Sequence, residues 1–157
     1  MDVLVSQYDW IQRTRESILG YCESLSPAEY VKELDSFGGD SILSLQVHVA
    51  NCYQIWLGER ALGKTLPEVT TEIVNDIQAM RGVFSKTDDL VHAFLNEFKG
   101  RWDQNIQLTL KSGHTMEPTA LWLITHTVTH EFHHKGQIVK IGRQLGYVPP
   151  DTDLIEP

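Results

Sequence analysis

Four of the seven histidines in this 157-residue chain fall within nine residues near its C-terminal end. Three of them, His126, His130 and His134, are spaced four residues apart, and such residues lie on nearly the same face of an α-helix. The fourth, His133, lies about 60° from His130 around the helix. Because imidazoles at positions i and i+4 can both reach one metal ion, this strip of histidines predicts a metal site.

Residues 130–134 read HEFHH, which also matches the H-E-x-x-H zinc pattern of many metallopeptidases. Those enzymes take their third ligand from downstream, either a His or a Glu on a following helix. No His follows His134, and Glu156 stands beyond two consecutive prolines with no helix to orient it. We also expect no strand along which a peptide substrate would bind. The pattern therefore does not indicate a protease.

A better candidate for the third ligand lies upstream. His48 belongs to the segment SILSLQVHVANCYQIWLGERALG, a largely apolar helical pattern that is expected to face the same core. A histidine at that position has little reason to exist as packing alone. Facing helices of a bundle are a common source of metal ligands, so His48 is predicted to join the C-terminal histidines.

Several other side chains have a functional and a structural interpretation. Glu131 could be a general base, but it points about 100° away from His130 and is expected to be a solvated or dimer-face residue. His126 could orient a ligand or water. Cys52, four residues after His48, could approach the metal, although a small buried hydrophobe is the favoured interpretation. Further residues that could line a pocket or substrate cavity are Gln137, Tyr53, Trp56 and Trp122.

Turn signals divide the chain into four long amphipathic helical patterns, which predict an all-α four-helix bundle. The predicted long helices cover residues 3–24, 42–62, 87–111 and 118–145, the third opening at Thr87 or Asp88. Short helices are predicted after Ser26-Pro27 and over residues 74–84. No repeat or linker interrupts the pattern, so we expect one domain over residues 1–157. His92 and His114 are expected at the surface or in a loop.

Composition and charge argue against several classes of function. The net charge of -8 and the lack of a basic run argue against nucleic acid binding. No apolar stretch reaches the ~18–20 residues of a membrane span, and the first residues, MDVLVSQYDW, lack the features of a signal peptide. Two cysteines, Cys22 and Cys52, are too few for a disulfide framework. We therefore expect a cytoplasmic, reducing environment.

The combined motifs resemble the DinB/YfiT-like metalloprotein superfamily. The matching residues are His48 in the second long helix, HEFHHKGQ at 130–137 in the last, and the Leu145-Gly146 pair. The resemblance implies an up-down-down-up four-helix bundle, often a homodimer, that binds one divalent ion through three histidines. Carried over by position, the ligands are His48, His130 and His134, whereas His126 matches a position that is not a main ligand.

Three neutral imidazoles leave coordination positions open, which is typical of a catalytic rather than a closed structural site. Histidine donors suit Zn, Ni, Cu or Fe, and we expect Ni or Zn. Some members of the superfamily are similar to transferases and isomerases that use a low-molecular-weight thiol such as bacillithiol. The resemblance thus implies a metal-dependent transferase that activates such a thiol for attack on an electrophilic small-molecule substrate. A non-catalytic, metal-binding stress-response or interaction dimer remains an alternative, as does a metal-dependent hydrolase.

Overall fold

Four long helices form the framework of the protein in the computed structural model, which describes residues 2–154. Helix α1 spans Val3–Glu23, and the short helix α2 (Pro27–Tyr30) and a 3₁₀ turn (Asp35–Phe37) follow it. The other long helices are α3 (Ile42–Tyr53), α4 (Ile77–Glu97) and α5 (Ala120–Gln144). The predicted all-α, four-helix architecture is therefore confirmed. Glu156 lies outside the described residues.

The second long helix changes its hydrogen-bonding pattern part-way along. Helix α3 begins at a capping box formed by Ser41 and Ser44. After Tyr53 the chain continues as a π-helical segment, Gln54–Ala61, and Gly63 follows with a φ of 63°. Together the two parts nearly fill the predicted helix over 42–62. Because π turns are rare and concentrate at functional sites, this segment points to a functional site near α3.

The third long helix differs from its prediction. Instead of a short helix over 74–84 and a new one opening at Thr87 or Asp88, a single helix runs from Ile77 to Glu97. The predicted boundaries at 87 and at 111 are both wrong. The first error has a physical cause in the two side chains that were interpreted as caps.

Thr87 and Asp88 find partners inside the helix and do not cap a new one. The Thr87 hydroxyl donates to the backbone carbonyl of Val83 one turn earlier. The Asp88 carboxylate accepts a hydrogen bond of 2.7 Å from the Tyr8 hydroxyl on α1. Because these partners satisfy both side chains, the local capping tendency of Thr and Asp is overridden.

The segment after α4 contains a small hairpin, whose first strand lies where the sequence predicted helix and whose second lies between two predicted helices. Strand β1 (Leu108–Thr109) pairs antiparallel with β2 (Thr115–Met116). Gly113 takes a φ of 84° in the turn between them, a conformation that glycine adopts without a steric penalty. Two residues per strand are too few to produce an alternating pattern, so the expectation of no strand is wrong here.

The bundle interior fixes how the helices face one another. Helix α3 packs against both α4 and α5, and α1 packs against α4. The largest fully buried side chains come from all four long helices and include Tyr8, Tyr53, Phe94, Leu123 and Ile141. Full burial of an aliphatic or Phe side chain contributes about 1.5–3 kcal/mol, so these residues stabilise the packing of the long helices. Across residues 2–154, no helix has both the length and the apolar character needed to cross a membrane.

Candidate metal centre

Three histidines from two packed helices converge at one point. His48 projects from α3, whereas His130 and His134 project from α5, and one ring nitrogen of each lies within 4.8 Å of the other two. The Nε2 atoms of His48 and His130 are 3.0 Å apart. Metal–nitrogen bonds of about 2.1 Å at tetrahedral or octahedral angles place two ligands about 3.0–3.4 Å apart. Within residues 2–154, these three side chains form a group that could hold a metal ion.

The three histidines differ in exposure, which places the group at the edge of the bundle. His134 is 9% exposed, His130 is half-buried, and His48 is exposed. The histidine strip on α5 therefore borders the bundle interior, and His48 is exposed although its segment was expected to face the core. Because the exposed side of the group faces solvent, an additional ligand has access to it.

The electrostatic environment keeps at least two of the rings neutral. Burial, together with the neighbouring imidazoles, lowers the pKa of His130 to about 4. Burial also lowers the pKa of His134, against the opposing effect of its hydrogen bond to Gln137. Both rings are neutral at pH 7 and keep the lone pair that a metal ion requires.

Gln137 holds the ring of His134 in one orientation. Its Oε1 atom lies 2.6 Å from Nδ1 of His134, one helical turn away on α5. Since an amide oxygen only accepts, the Nδ1–H group donates this hydrogen bond and Nε2 carries the free lone pair. Gln137 was predicted to line the pocket, and the structure places it in direct contact with a histidine of the group.

An aromatic cluster continues the histidine strip along α5. The rings of Trp122 and His126 stack with 3° between their planes and 5.0 Å between centroids. Trp56 packs edge-on against both, at 4.9 Å from His126 and 5.9 Å from Trp122. The Arg60 guanidinium lies 4.1 Å from the centre of the Trp56 ring. His126 is in turn 5.9 Å from His130, so the cluster borders the three-histidine group directly.

Glu131 lies inside the bundle, and the expectation that it is solvated or on a dimer face is wrong. Its side chain accepts two hydrogen bonds from Arg15, at 2.9 and 2.7 Å, and one of 2.7 Å from the Tyr53 hydroxyl. Burial alone would raise the pKa of Glu131, but the charges of Arg15 and Lys135 outweigh it and lower the pKa to about 2. A carboxylate held in this way is a weak base, so the contacts favour a structural role over the catalytic interpretation.

The two residues near the end of α3 are buried rather than exposed at a pocket wall. Cys52 is 7% exposed, and burial raises its pKa to about 12, so it remains a protonated thiol at neutral pH. Tyr53 is fully buried and donates to Glu131. The structure thus favours the interpretation of Cys52 as a small buried hydrophobe and corrects the placement of Tyr53 at a pocket.

The remaining histidines lie at the surface. His133 is exposed, with its ring 5.0 Å from that of His134. His92 is also exposed and packs edge-on against Tyr8, and His114 lies in the exposed hairpin turn. The surface prediction for His92 and His114 is confirmed.

Sequence reasoning missed the buried cations that surround Glu131. Arg15 occupies a position in the apolar stripe of α1, between Ile11 and Ile18, and is 3% exposed. Lys135 follows Glu131 by one turn and is 4% exposed. A cation within an apolar stripe is the signal that could have revealed them, because a charge is seldom buried without a partner.

Comparison with known proteins agrees with the family that the motifs predicted. A model of the DinB family matches residues 1–156, which is nearly the whole chain. The chain belongs to the DinB family. Protein DinB of Bacillus subtilis (strain 168) is 30% identical over 93 residues, an alignment that covers 59% of this chain and 52% of that protein. The similarity thus spans about half the length of this curated relative, and within the family the three-histidine group is the natural candidate for a functional site.

Proposed function

We propose that this DinB family protein binds one divalent transition-metal ion, Ni or Zn, through His48, His130 and His134. We further propose that the ion activates a low-molecular-weight thiol of the bacillithiol type for attack on an electrophilic small molecule. The observation that carries this proposal is the convergence of three ring nitrogens within 4.8 Å at a solvent-accessible edge of the bundle.

The donor set and its surroundings support an open site. Three imidazoles leave at least one coordination position for an exogenous ligand, as in catalytic zinc sites. A divalent ion at this position would supply Lewis acidity that lowers the pKa of a bound thiol. In the transfer, the thiol sulfur forms a bond to the electrophilic carbon, its proton leaves to solvent, and the leaving group departs with its electron pair.

The residues of this chain would bind and orient the reactants. Gln137 fixes the ring of His134, and the aromatic cluster of Trp56, Trp122 and His126 offers a wall beside the group. Aromatic rings bind apolar or planar substrates through stacking contacts. Arg60, 4.1 Å from the centre of the Trp56 ring, adds a positive charge to this wall.

The same geometry disfavours the hydrolase alternative. A hydrolase of the H-E-x-x-H kind uses the Glu of that motif as a general base for bound water. Glu131 instead binds Arg15 and Tyr53 within the bundle, with its pKa lowered to about 2. The non-catalytic metal-binding dimer stays as the competing interpretation, and the response of the bound metal to a thiol distinguishes it from the transferase.

We also propose a homodimer in the cytoplasm, as the family resemblance implies. An apolar groove of about 360 Å³ between α1 and α5, lined by Leu4, Trp10, Val128 and Phe132 among others, supports a protein contact on this face. Trp10 is 39% exposed there. Light scattering after size exclusion would give the oligomeric state, and a monomer would overturn this part of the proposal.

The free, buried Cys22 and Cys52 are compatible with a reducing compartment.

Metal content tests the ligand set first. Protein purified without a His tag is analysed by mass spectrometry for bound metal, alongside His48→Ala and His130→Ala. His114→Ala is the matched control, since His114 lies in the exposed hairpin turn. We expect the first two variants to lose the metal and the control to keep it. Unchanged metal content in all three would overturn the ligand set.

The thiol chemistry needs a separate measurement. Cobalt-loaded protein is titrated with bacillithiol, and conjugation of the thiol to monochlorobimane is followed by fluorescence. We expect the thiol to shift the cobalt absorption spectrum and the conjugation to stop when the metal is removed. A spectrum insensitive to thiol would favour the non-catalytic dimer, and turnover that survives metal removal would exclude the mechanism.

A further inference from the structure

A second group of charged side chains lies next to the histidine group, with three members buried in the bundle and the fourth, Asp88, partly exposed. It consists of Arg15, Asp88, Glu131 and Lys135, and we call it the buried charge cluster. Arg15 contacts Glu131 through two hydrogen bonds and also donates to Asp88. Lys135 lies 3.4 Å from the Glu131 carboxylate and donates to the Thr14 hydroxyl on α1.

The cluster joins all four long helices. Arg15 belongs to α1, Asp88 to α4, and Glu131 and Lys135 to α5, while Tyr53 at the end of α3 donates to Glu131 at 2.7 Å. Its two cations balance its two carboxylates. Removing charges from water is costly even when they are paired, and apolar side chains of similar size would often stabilise a fold as well. The cluster therefore calls for a reason beyond stability.

Its position relative to the histidines supplies that reason. Glu131 directly follows His130, and Lys135 directly follows His134, so each lies about 100° around α5 from a histidine of the group. The histidine strip turns toward His48 on α3, whereas the strip of Glu131 and Lys135 turns toward Arg15 and Thr14 on α1. Because both strips belong to α5, a contact that fixes the orientation of Glu131 and Lys135 also fixes that of the histidines.

We propose that the buried charge cluster is a positioning device for the metal site, in which Arg15 and Glu131 lock the rotation of α5 and thereby aim His130 and His134 at His48. This inference rests on the proposed metal binding and extends it to residues that do not touch the ion. Arg15 and Glu131 are positioning residues, since they act through the helix that carries two of the ligands.

Even a small rotation of α5 would move the ligand nitrogens by more than a metal site tolerates. A side-chain nitrogen lies about 6 Å from the axis of its helix, so a rotation of about 10° moves it by about 1 Å. Metal–ligand distances tolerate deviations of only about 0.2 Å. Apolar packing alone permits small rotations of a helix, whereas the two-point contact between a guanidinium and a carboxylate is directional.

The test measures Co²⁺ affinity of the metal-free protein by competition with a chromophoric chelator. Glu131→Gln removes the charge and keeps the shape, and Arg15→Lys keeps the charge and loses the two-point contact. The matched control is Arg81→Gln. Arg81 joins α4 to Glu16 and Glu23 of α1 through ion pairs that do not involve α5.

Glu131→Gln is expected to bind Co²⁺ at least ~10-fold more weakly, the size of effect usual for groups that orient metal ligands. Arg15→Lys should fall between Glu131→Gln and the wild type, and Arg81→Gln should match the wild type. Circular dichroism in the absence of metal shows whether each variant is folded. Should Glu131→Gln fail to fold, Tyr53→Phe serves instead, because it removes one hydrogen bond to Glu131 and is expected to weaken Co²⁺ binding several-fold.

A purely structural cluster would lower the unfolding midpoint of Glu131→Gln and leave the Co²⁺ affinity of the folded protein equal to that of the wild type. That result, or a loss of affinity of the same size in Arg81→Gln, would overturn the positioning role. Wild-type protein that takes up no Co²⁺ would overturn the metal site as well. Because the assay measures Co²⁺ affinity and not turnover, it tests the positioning role even if the proposed thiol chemistry is wrong.

Discussion

Replacing Gln137 with Met tests how the chain orients one metal ligand. The Oε1 atom of Gln137 accepts a hydrogen bond of 2.6 Å from Nδ1 of His134, and Met has a similar length but no comparable acceptor. Without that partner, the ring can rotate and its proton can move to Nε2, the nitrogen that should bind the metal. We expect metal affinity to fall by about 10- to 100-fold, or about 1.4–2.7 kcal/mol. Gln137 is half-buried, so the unfolding free energy should change by only about 0.5–1 kcal/mol.

Co²⁺ competition at pH 7 measures the effect, and two further variants define its cause. Gln137→Glu offers a carboxylate acceptor, which makes the imidazole more basic, so its affinity should equal or exceed that of the wild type. Gln144→Met is the matched control, because Gln144 lies on the same helix and hydrogen-bonds to Ser36 at 3.0 Å, away from the histidines. If Gln137→Met binds Co²⁺ within twofold of the wild type, the orientation argument is refuted.

Three further predictions concern the charge cluster, the aromatic cluster and helix packing. Neighbouring cations outweigh the effect of burial and lower the pKa of Glu131 from 4.5 to about 2, so its stabilising contribution is complete above pH about 4.5 and is lost as the pH falls toward 2. In urea titrations of metal-free protein, the difference in unfolding free energy between wild type and Glu131→Gln should therefore become smaller as the pH falls from about 4.5 toward 2. A difference that stays constant over this pH range would contradict the prediction. Trp122→Ala should raise the KM for an aromatic electrophile about fivefold with kcat within twofold, because one stacking contact is worth about 1 kcal/mol, and an unchanged KM would argue against a substrate wall. In Gly142→Ala the new Cβ would overlap the Tyr21 hydroxyl oxygen, so we expect the unfolding free energy measured in denaturant to fall by about 1–3 kcal/mol. Adding Tyr21→Phe should recover part of this loss, whereas no loss in Gly142→Ala would show that the Tyr21 ring moves freely.

Helices α1, α3 and α5 and the histidine group were predictable because all of them depend on local periodicity. Residues three and four apart share a helix face whatever the rest of the chain does, so His130 and His134 were paired correctly from spacing alone. His48 was added because a polar side chain in an apolar helix calls for a partner. The structure brings the three together as the sequence indicated.

The features that could not be predicted depend on contacts between distant parts of the chain. Glu131 was expected at the surface because its helical position gave no hint of Arg15, which lies 116 residues earlier on another helix. Asp88 was interpreted as a helix cap because its partner Tyr8 is 80 residues away. Local propensity gives way in both places to a long-range hydrogen bond, which a single sequence does not display.

The unequal exposure of the three histidines has a consequence for how a bound ion would meet solvent. His130 and His134 are two ligands on one helix, one turn apart, whereas His48 is exposed on α3. An ion held by all three rings would have its bond to His48 on the solvent side and its bond to His134 on the protected side. Substitutions around α3 would therefore change the exposed side of such a site without altering the pair on α5.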